Sequence, residues 1–321
     1  MNSLASSTTS LGVLAGLSTA ILWTFTAVCF EAAAKRLGSL AVNVLRLALA
    51  VVFFCALSLL RTHHLWQAGL SSQAWFYLGI SGVVGFVVGD IMLFQAFLLI
   101  GARLSMLIYA SVPFMTAVAG FFFLDERLGA RALAGMAITV AGIAMAVVGK
   151  RTVRGENMGA RRTVGVLMAL GGAAGQAAGL LLGKRGAVGV DSFAATEIRA
   201  FFGLAGFLVV ATLAGQARPI LGLVKHAVWP RHRVEVDLAR IRSLRRGLAT
   251  MAIGSLVGPF LGVSLGLLSA QLLPTGIAST LMSTVPVLLI PVSAVLFRET
   301  ICLAEIVGAL LAVGGVAVLA W

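Results

Sequence analysis

The 321-residue sequence is 60% hydrophobic and 11% charged, whereas soluble domains are about 45–50% apolar and about 25% charged. Such a composition excludes a soluble enzyme, a disordered chain and a secreted disulfide scaffold. The net charge of +13 does not indicate nucleic-acid binding, because 22 of the 24 Lys and Arg residues flank apolar runs, where cations face lipid headgroups. We therefore expect a polytopic membrane protein with no nucleic-acid partner, no cofactor and no metal site.

Ten apolar runs are long enough to cross roughly 30 Å of hydrocarbon as helices of about 20 residues. Apolar stretches without alternation, such as residues 51–57, argue against transmembrane strands. The first run is longer than a signal-peptide core and has no Lys or Arg before it, so we expect it to be retained. The sequence thus predicts an all-α membrane protein with spans at residues 11–32, 38–60, 76–99, 104–124, 131–149, 163–183, 192–213, 248–271, 275–297 and 301–320.

The second half of the sequence repeats the first. Pro113 and Pro286 lie 173 positions apart, and Arg46 and Arg199 lie 153 apart, because the connection between spans seven and eight is longer. An odd number of spans in each repeat inverts the second copy relative to the first, as in many secondary transporters. We infer two inverted five-helix repeats, residues 11–149 and 163–320, joined by the basic linker 150–162.

Two segments of the sequence resemble a known family signature. Residues 122–128 followed by 135–143, and residues 297–300 followed by 308–316, resemble the end of each repeat in EamA-like proteins of the drug/metabolite transporter superfamily. Leu22-Trp23, Arg46 and Ser111-Val112-Pro113 extend the resemblance over nearly the whole chain. The resemblance implies a ten-helix secondary transporter that exports a small metabolite, amino acid or drug by alternating access from a bacterial inner (plasma) membrane. It does not specify the substrate.

Ionisable residues within the predicted spans are candidates for substrate binding or coupling, since such residues usually face the bundle interior. Asp90 could exchange a proton or bind a substrate amine, because burial favours the neutral form of a carboxyl group. A hydrogen bond or an ion pair to a neighbouring helix is the structural alternative. Arg46 and Arg199 could hold a carboxylate or phosphate through two hydrogen bonds, or could instead pair with Glu31 or Glu197.

Uncharged residues complete the candidate site. Trp23 and Gln176 occupy equivalent mid-span positions in the two repeats, and we expect them to line a pocket, with ordinary helix packing as the alternative. Tyr109 belongs to a polar face of span four. Pro113 and Pro286 leave carbonyls of the preceding turn without intrahelical donors, so both are predicted hinges.

The basic connection at residues 214–247 could contact lipid. Within it, Pro230–Arg246 has the apolar spacing of a surface helix that would bind anionic lipids, although a solvated loop is an alternative. Connections after odd-numbered spans hold 17 Lys and Arg, against five after even-numbered spans, which places the odd-numbered connections in the cytoplasm. The family resemblance implies the opposite orientation.

Two other functions compete with transport. A non-transporting lipid-binding or assembly subunit would use the basic connection. An intramembrane enzyme is disfavoured, because Asp90 has no second membrane aspartate, no HExxH or GxSxG motif is present, and all four histidines lie in connections.

Overall fold

The protein is described by a computed structural model that covers residues 2–67, 69–124, 129–131, 134–135, 137–143, 145, 159–228, 238–273, 275–297 and 302–320. Within these ranges every regular element is helical. The helices are α1 (Asn2–Leu37), α2 (Ser39–Thr62), α3 (Ser72–Gly82), α4 (Asp90–Tyr109), α5 (Val112–Leu124), α6 (Gly159–Gly186), α7 (Ser192–Leu213), α8 (Ala217–Val228), α9 (Leu238–Ser255), α10 (Val263–Leu272), α11 (Thr275–Met282), α12 (Val285–Phe297) and α13 (Leu303–Ala320).

Six helical stretches of the described chain are long and apolar enough to cross a membrane. The shorter helices α5, α11, α12 and α13 are similarly apolar. Much of the predicted fifth span lies outside the described residues, although residues 137–143 are helical. The chain is therefore an all-helical, multi-pass membrane protein over the described ranges. The six long stretches are Thr9–Leu37, Ser39–Thr62, Ser72–Tyr109, Gly159–Gly186, Ser192–Leu213 and Ala239–Leu272.

Two seven-residue π-helical segments interrupt the long helices. Val83–Gly89 joins α3 to α4, and Leu256–Gly262 joins α9 to α10. The two segments lie 173 positions apart, which is the offset that relates the two prolines. The sequence analysis did not predict them. Single π-helical turns are rare and occur frequently at functional sites, and Asp90 directly follows the first of these two.

The fourth and ninth predicted spans are each broken near the middle. The break at Ala110–Ser111 separates α4 from α5, and the break at 283–284 separates α11 from α12. Pro113 and Pro286 are the second residues of the helices that restart after these breaks. The prolines therefore begin new helices rather than bend continuous ones, since a missing N–H is tolerated in a first helical turn.

The third and fourth predicted spans are joined without a loop. Gly101 lies inside α4 with φ 80° and ψ 160°, a backbone conformation available essentially only to glycine. The chain turns there, so that α4 contains the end of one span and the beginning of the next. Glu31 stabilises this turn, because its Oε2 accepts a hydrogen bond from the Ala102 backbone N–H at 3.2 Å.

Helices from the two halves of the chain pack closely on one another. α1 lies against α9 and α10, while α6 lies against α3 and α4. A Cβ atom at Gly175 would lie 2.6 Å from the Gly89 Cα, and one at Gly179 would lie 2.8 Å from the Gly85 Cα. The two backbones can approach this closely only because these positions carry no side chain.

The last helix of each half contacts the other in a reciprocal way. A Cβ atom at Gly142 would lie 2.7 Å from the Gly308 carbonyl oxygen, and one at Gly315 would lie 2.7 Å from the Gly135 carbonyl oxygen. Gly135 and Gly142 correspond to Gly308 and Gly315 at the 173-residue offset. Each glycine pair of one helix thus meets the equivalent glycine pair of the other.

The basic connection differs from the prediction. Residues 230–237 of the expected surface helix lie outside the described residues, and residues 238–246 begin α9, which continues into the membrane. A separate amphipathic helix lies earlier, at α8, where Ile220 and Ala227 are buried and Lys225 and His226 are exposed. Arg245 Nε donates to the Ala227 carbonyl at 2.9 Å, which ties the end of α8 to α9.

Candidate functional site

Two adjoining cavities lie between the two halves of the chain. They measure about 70 Å³ and about 20 Å³, and the larger has room for several water molecules. They share the lining residues Trp23, Met106, Tyr109 and Gln176, so we describe them together as the central cavity.

Five of the seven predicted site residues line the central cavity: Trp23, Arg46, Asp90, Tyr109 and Gln176. They come from both halves of the chain, so the fold brings together residues that are far apart in sequence. The predicted hinge Pro286 also lines the cavity, whereas Pro113 is buried beside the lining residue Val112. The two remaining candidates, Glu197 and Arg199, lie elsewhere.

A buried ion pair occupies the central cavity. Arg46 Nη2 donates to Asp90 Oδ2, and the two side chains are only 5% and 11% exposed. Arg46 Nε also donates to Asn43 Oδ1 at 2.9 Å, and its guanidinium lies 4.7 Å from the centre of the Phe94 ring. Asp90 therefore makes the interhelical ion pair that the sequence left open as an alternative.

Glu31 is not the partner of Arg46. Its Oε1 pairs instead with Lys35 Nζ at 2.6 Å, one helical turn away on α1. Its other oxygen binds the Ala102 backbone, as described above. Both carboxylate oxygens of Glu31 therefore bind other groups, and Arg46 pairs with Asp90 instead.

Arg199, the repeat equivalent of Arg46, lies close to the cavity but does not line it. Its guanidinium is 5.3 Å from the centre of the Phe86 ring, and Phe86 lines the cavity one turn before Asp90. The side chain is 1% exposed, and its Nε has no hydrogen-bond partner among the described residues. A Cβ atom at Gly85 would lie 3.7 Å from Arg199 Nη2, so the guanidinium lies beside the π-helical segment that precedes Asp90.

The residues that line the central cavity occur largely as repeat-related pairs. Trp23 pairs with Gln176 and Ala27 with Leu180 at the 153-residue offset, and six further pairs follow the 173-residue offset. Both members of each pair line the cavity, which therefore lies where equivalent parts of the two halves meet. The six further pairs are Phe86 with Pro259, Asp90 with Val263, Met106 with Ser279, Tyr109 with Met282, Ala110 with Ser283, and Val112 with Val285.

One buried ion pair was missed in the sequence. Arg103 Nη2 and Glu305 Oε1 are 3.1 Å apart, and each side chain is 6% exposed. Arg103 follows the Gly101 turn, and Glu305 lies in the first turn of α13, where its Oε2 accepts from the Cys302 backbone N–H at 3.2 Å. An acid within the last apolar run was the available signal.

A family model matches the chain twice, at residues 10–148 and 163–321, and its description is EamA-like transporter family. The chain belongs to the EamA-like transporter family. The resemblance found in the sequence is therefore confirmed, and the family fits the drug/metabolite transporter superfamily. EamA-like proteins are membrane transporters and not enzymes, which assigns this chain to the transporter class.

Comparison with solved structures shows that other proteins share this fold. Among 28 matching chains, one described as "Crystal structure of protein" superposes with a TM-score of 0.59 and 21% sequence identity, covering 96% of this chain and 94% of that chain. At this identity the match shows a shared fold alone. No curated protein matches the chain.

Proposed function

We propose that this protein is a secondary carrier that exports a small amine-bearing metabolite, such as an amino acid, from a bacterial inner membrane by alternating access. One observation carries the proposal. A buried carboxylate, Asp90, is ion-paired in a cavity that is lined by both halves of an EamA-like chain. A carrier of this kind binds its solute between two halves that then exchange which side is open.

The proposed architecture is ten membrane spans in two inverted five-helix repeats. Three repeat-related features support it: the π-helical segments, the broken spans, and the paired residues of the central cavity. The reciprocal contact of Gly142 and Gly315 supports opposite directions for equivalent helices, because residues later in one helix meet residues earlier in the other. Opposite directions for equivalent spans are what inversion requires.

The inverted arrangement can be tested by labelling from one side of the membrane. His64, after the second span, and Gln216, after the seventh, occupy equivalent connections and are both exposed. In a background without the three native cysteines, His64→Cys and Gln216→Cys should react with an impermeant maleimide from opposite sides. Labelling of both from the same side would refute the inversion, and the labelled side would also resolve the orientation.

The proposed role of Asp90 is to exchange partners during transport. An unpaired charge is costly in a buried site, so Arg46 can leave Asp90 only if another cation replaces it. A substrate ammonium group or a proton would meet this requirement. Arg199 is the repeat equivalent of Arg46, and its guanidinium lies over the Phe86 ring, one turn before Asp90, which makes it the partner we propose for the opposite-facing state.

The carrier is tested by export from cells. The media of cells that express the wild type and Asp90→Asn would be compared by metabolite profiling, and any enriched amine would be tested for counterflow in proteoliposomes. We expect the wild type to export such a compound and Asp90→Asn, folded, to lose export. Absence of both enrichment and counterflow with the wild type would favour a non-transporting lipid-binding or assembly subunit.

A charge swap distinguishes a mechanistic Asp90 from a purely structural one. The double variant Asp90→Arg with Arg46→Asp keeps opposite charges at the same two positions. A fixed ion pair predicts that the swapped protein folds and transports, whereas partner exchange predicts that it folds without transport.

Proton coupling is tested separately: an imposed pH gradient should drive uptake by the wild type, and Asp90→Asn should lose this driving force. Uptake that ignores the gradient in the wild type would remove proton coupling.

A further inference from the structure

A second cavity, larger than the central one, lies between the end of α2 and the beginning of α7. It measures about 170 Å³, and its lining includes Phe54, Ser58, Arg61, Phe193 and Glu197. The connections at residues 63–71 and 187–191 lie at the same end, where the Asp191 backbone N–H donates to Gln67 Oε1 at 3.2 Å. We call this space the vestibule.

The vestibule contains a buried carboxyl group with an unused acceptor. Glu197 is 1% exposed, and its Oε2 accepts a hydrogen bond from Ser58 Oγ at 3.1 Å. Its Oε1 is buried and makes no hydrogen bond among the described residues, although the Cys55 thiol lies beside the carboxyl group. A buried acceptor without a donor is costly, and a bound ammonium group would satisfy it.

A positive group lines the same vestibule. Arg61 lies in the last turn of α2 and is exposed. Its guanidinium lies 5.6 Å from the centre of the Phe193 ring, which orients it without neutralising its charge. A second acid, Asp191, also lines the vestibule, but its Oδ1 accepts from the Phe193 and Ala194 backbone N–H groups at 3.0 and 3.2 Å. The vestibule thus offers the carboxyl group of Glu197, the guanidinium of Arg61 and the apolar surfaces of Phe54 and Phe193.

Aromatic rings separate the vestibule from the central cavity. The Phe260 ring centre lies 4.9 Å from that of Phe54 and 5.9 Å from that of Phe193, and both of these residues line the vestibule. Phe260 belongs to the second π-helical segment, next to Pro259, which lines the central cavity. A solute would therefore pass from one cavity to the other by displacing these rings.

We propose that the vestibule is a binding site for a free zwitterionic amino compound, held with its ammonium on Glu197, its anionic group on Arg61 and its apolar part on Phe54 and Phe193. The residue types fit this chemistry because Glu197 can meet the ammonium and Arg61 the anionic group, while the second lining acid, Asp191, is engaged in capping α7. That the bound compound then enters the central cavity rests on the proposed carrier function. The binding itself does not.

Equilibrium binding of radiolabelled L-phenylalanine to the purified protein in phosphatidylcholine nanodiscs tests the site. Glu197→Gln should weaken binding about tenfold or more, because the ammonium loses its charged partner, and Glu197→Asp should restore part of the affinity. Arg61→Gln should weaken L-phenylalanine similarly but leave competition by phenethylamine, which has no carboxylate, unchanged. Equal binding by wild type and both neutralised variants would overturn the proposal.

Two further measurements distinguish binding in the vestibule from transport and from lipid binding. Asp90→Asn should keep the Glu197-dependent binding while losing transport, so a failed carrier and a failed vestibule site give different results. Arg61 is exposed, so Arg61→Gln keeps the proposal testable even if Glu197→Gln fails to fold. A phosphatidylethanolamine headgroup also carries an ammonium beside an anion, so L-phenylalanine binding is also measured in nanodiscs that contain this lipid. Displacement of L-phenylalanine by the lipid would overturn a free solute as the occupant.

Discussion

The ion pair of Arg46 and Asp90 gives the sharpest test of how the central cavity is stabilised. The perturbations are Asp90→Asn, Arg46→Gln and the two together. Each single change leaves one buried charge without its partner, because the side chains are 5% and 11% exposed. Removing one member of a buried pair costs about 3–5 kcal/mol of folding free energy, which is a large part of the stability of a domain.

The structure predicts which single variant is worse. In Asp90→Asn, Arg46 keeps its hydrogen bond to Asn43 and its contact with the Phe94 ring, so we expect a loss near the lower limit, about 3 kcal/mol. In Arg46→Gln, Asp90 loses its only hydrogen-bond partner among the described residues, and we expect about 5 kcal/mol. The double variant has no unpaired charge, so its loss should fall short of the sum by about 2–3 kcal/mol.

The assay is equilibrium unfolding in mixed micelles, with the free energy of unfolding compared across the four proteins of the cycle. Lys35→Gln provides the control, because Lys35 is 52% exposed and pairs with Glu31 rather than with Asp90. Combined with Asp90→Asn it should be additive. If the Arg46 and Asp90 changes are also additive within about 0.5 kcal/mol, the two side chains do not depend on each other and the reasoning fails.

Three further variants test the close contacts of the fold, each by thermal unfolding. Gly175→Ala should lower the free energy of unfolding by about 1–3 kcal/mol, because its Cβ would lie 2.6 Å from backbone. The control Gly222→Ala in α8 meets nothing within 4 Å and should raise that free energy by up to about 1 kcal/mol. Equal effects of the two changes would contradict the packing. Gly101→Ala should cost about 1–3 kcal/mol through its backbone conformation, and an unchanged midpoint would exclude that conformation. Arg103→Gln should lower the free energy of unfolding by about 3–5 kcal/mol, and adding Glu305→Gln should restore part of this loss. A further loss in the double variant would show that the two side chains do not stabilise the protein as a pair.

The scaffold could be predicted from the sequence because its signals are periodic or repeated. Runs of apolar residues locate the helices, and the single offset of Pro113 and Pro286 relates the broken spans. The same offset relates Asp90 to Val263, and both line the central cavity. Positions that are equivalent in the sequence therefore meet at the central cavity.

Pairings between helices could not be predicted, since they depend on rotations and depths that no local pattern records. Glu31 and Asp90 are both acids within spans, and nothing in their spacing shows that Arg46 meets the second. The π-helical segments were missed for a related reason. The first packs against α6, where Gly85 and Gly89 meet Gly179 and Gly175, and the second packs against α1, where Gly258 and Gly262 meet Thr26 and Trp23. These tertiary contacts leave no period in the sequence.

The segment that follows α8 shows that apolar spacing can also predict a helix that does not form as expected. Apolar spacing at Val234, Leu238 and Ile241 favoured a surface helix in the following segment. The described part of that segment, residues 238–246, instead forms about the first two and a half turns of α9, because a helix already fixed in the membrane can lengthen at little cost once it is nucleated. Arginines that were expected to lie flat on lipid therefore begin a span.

The two halves are alike in backbone and unlike in charge, and the proposed mechanism needs both properties. In the proposed carrier, equivalent π-helical segments and equivalent breaks would let either half adopt the conformation of the other, so its two states would have similar backbones. Arg46 and Arg199 preserve this likeness, whereas Asp90 has Val263 as its equivalent in the cavity lining. One carboxylate shared by two arginines cannot pair equally with both. The free energy of each proposed state must then depend on what else neutralises Asp90. A solute or proton that binds to Asp90 would therefore determine whether the carboxylate pairs with Arg46 or with Arg199.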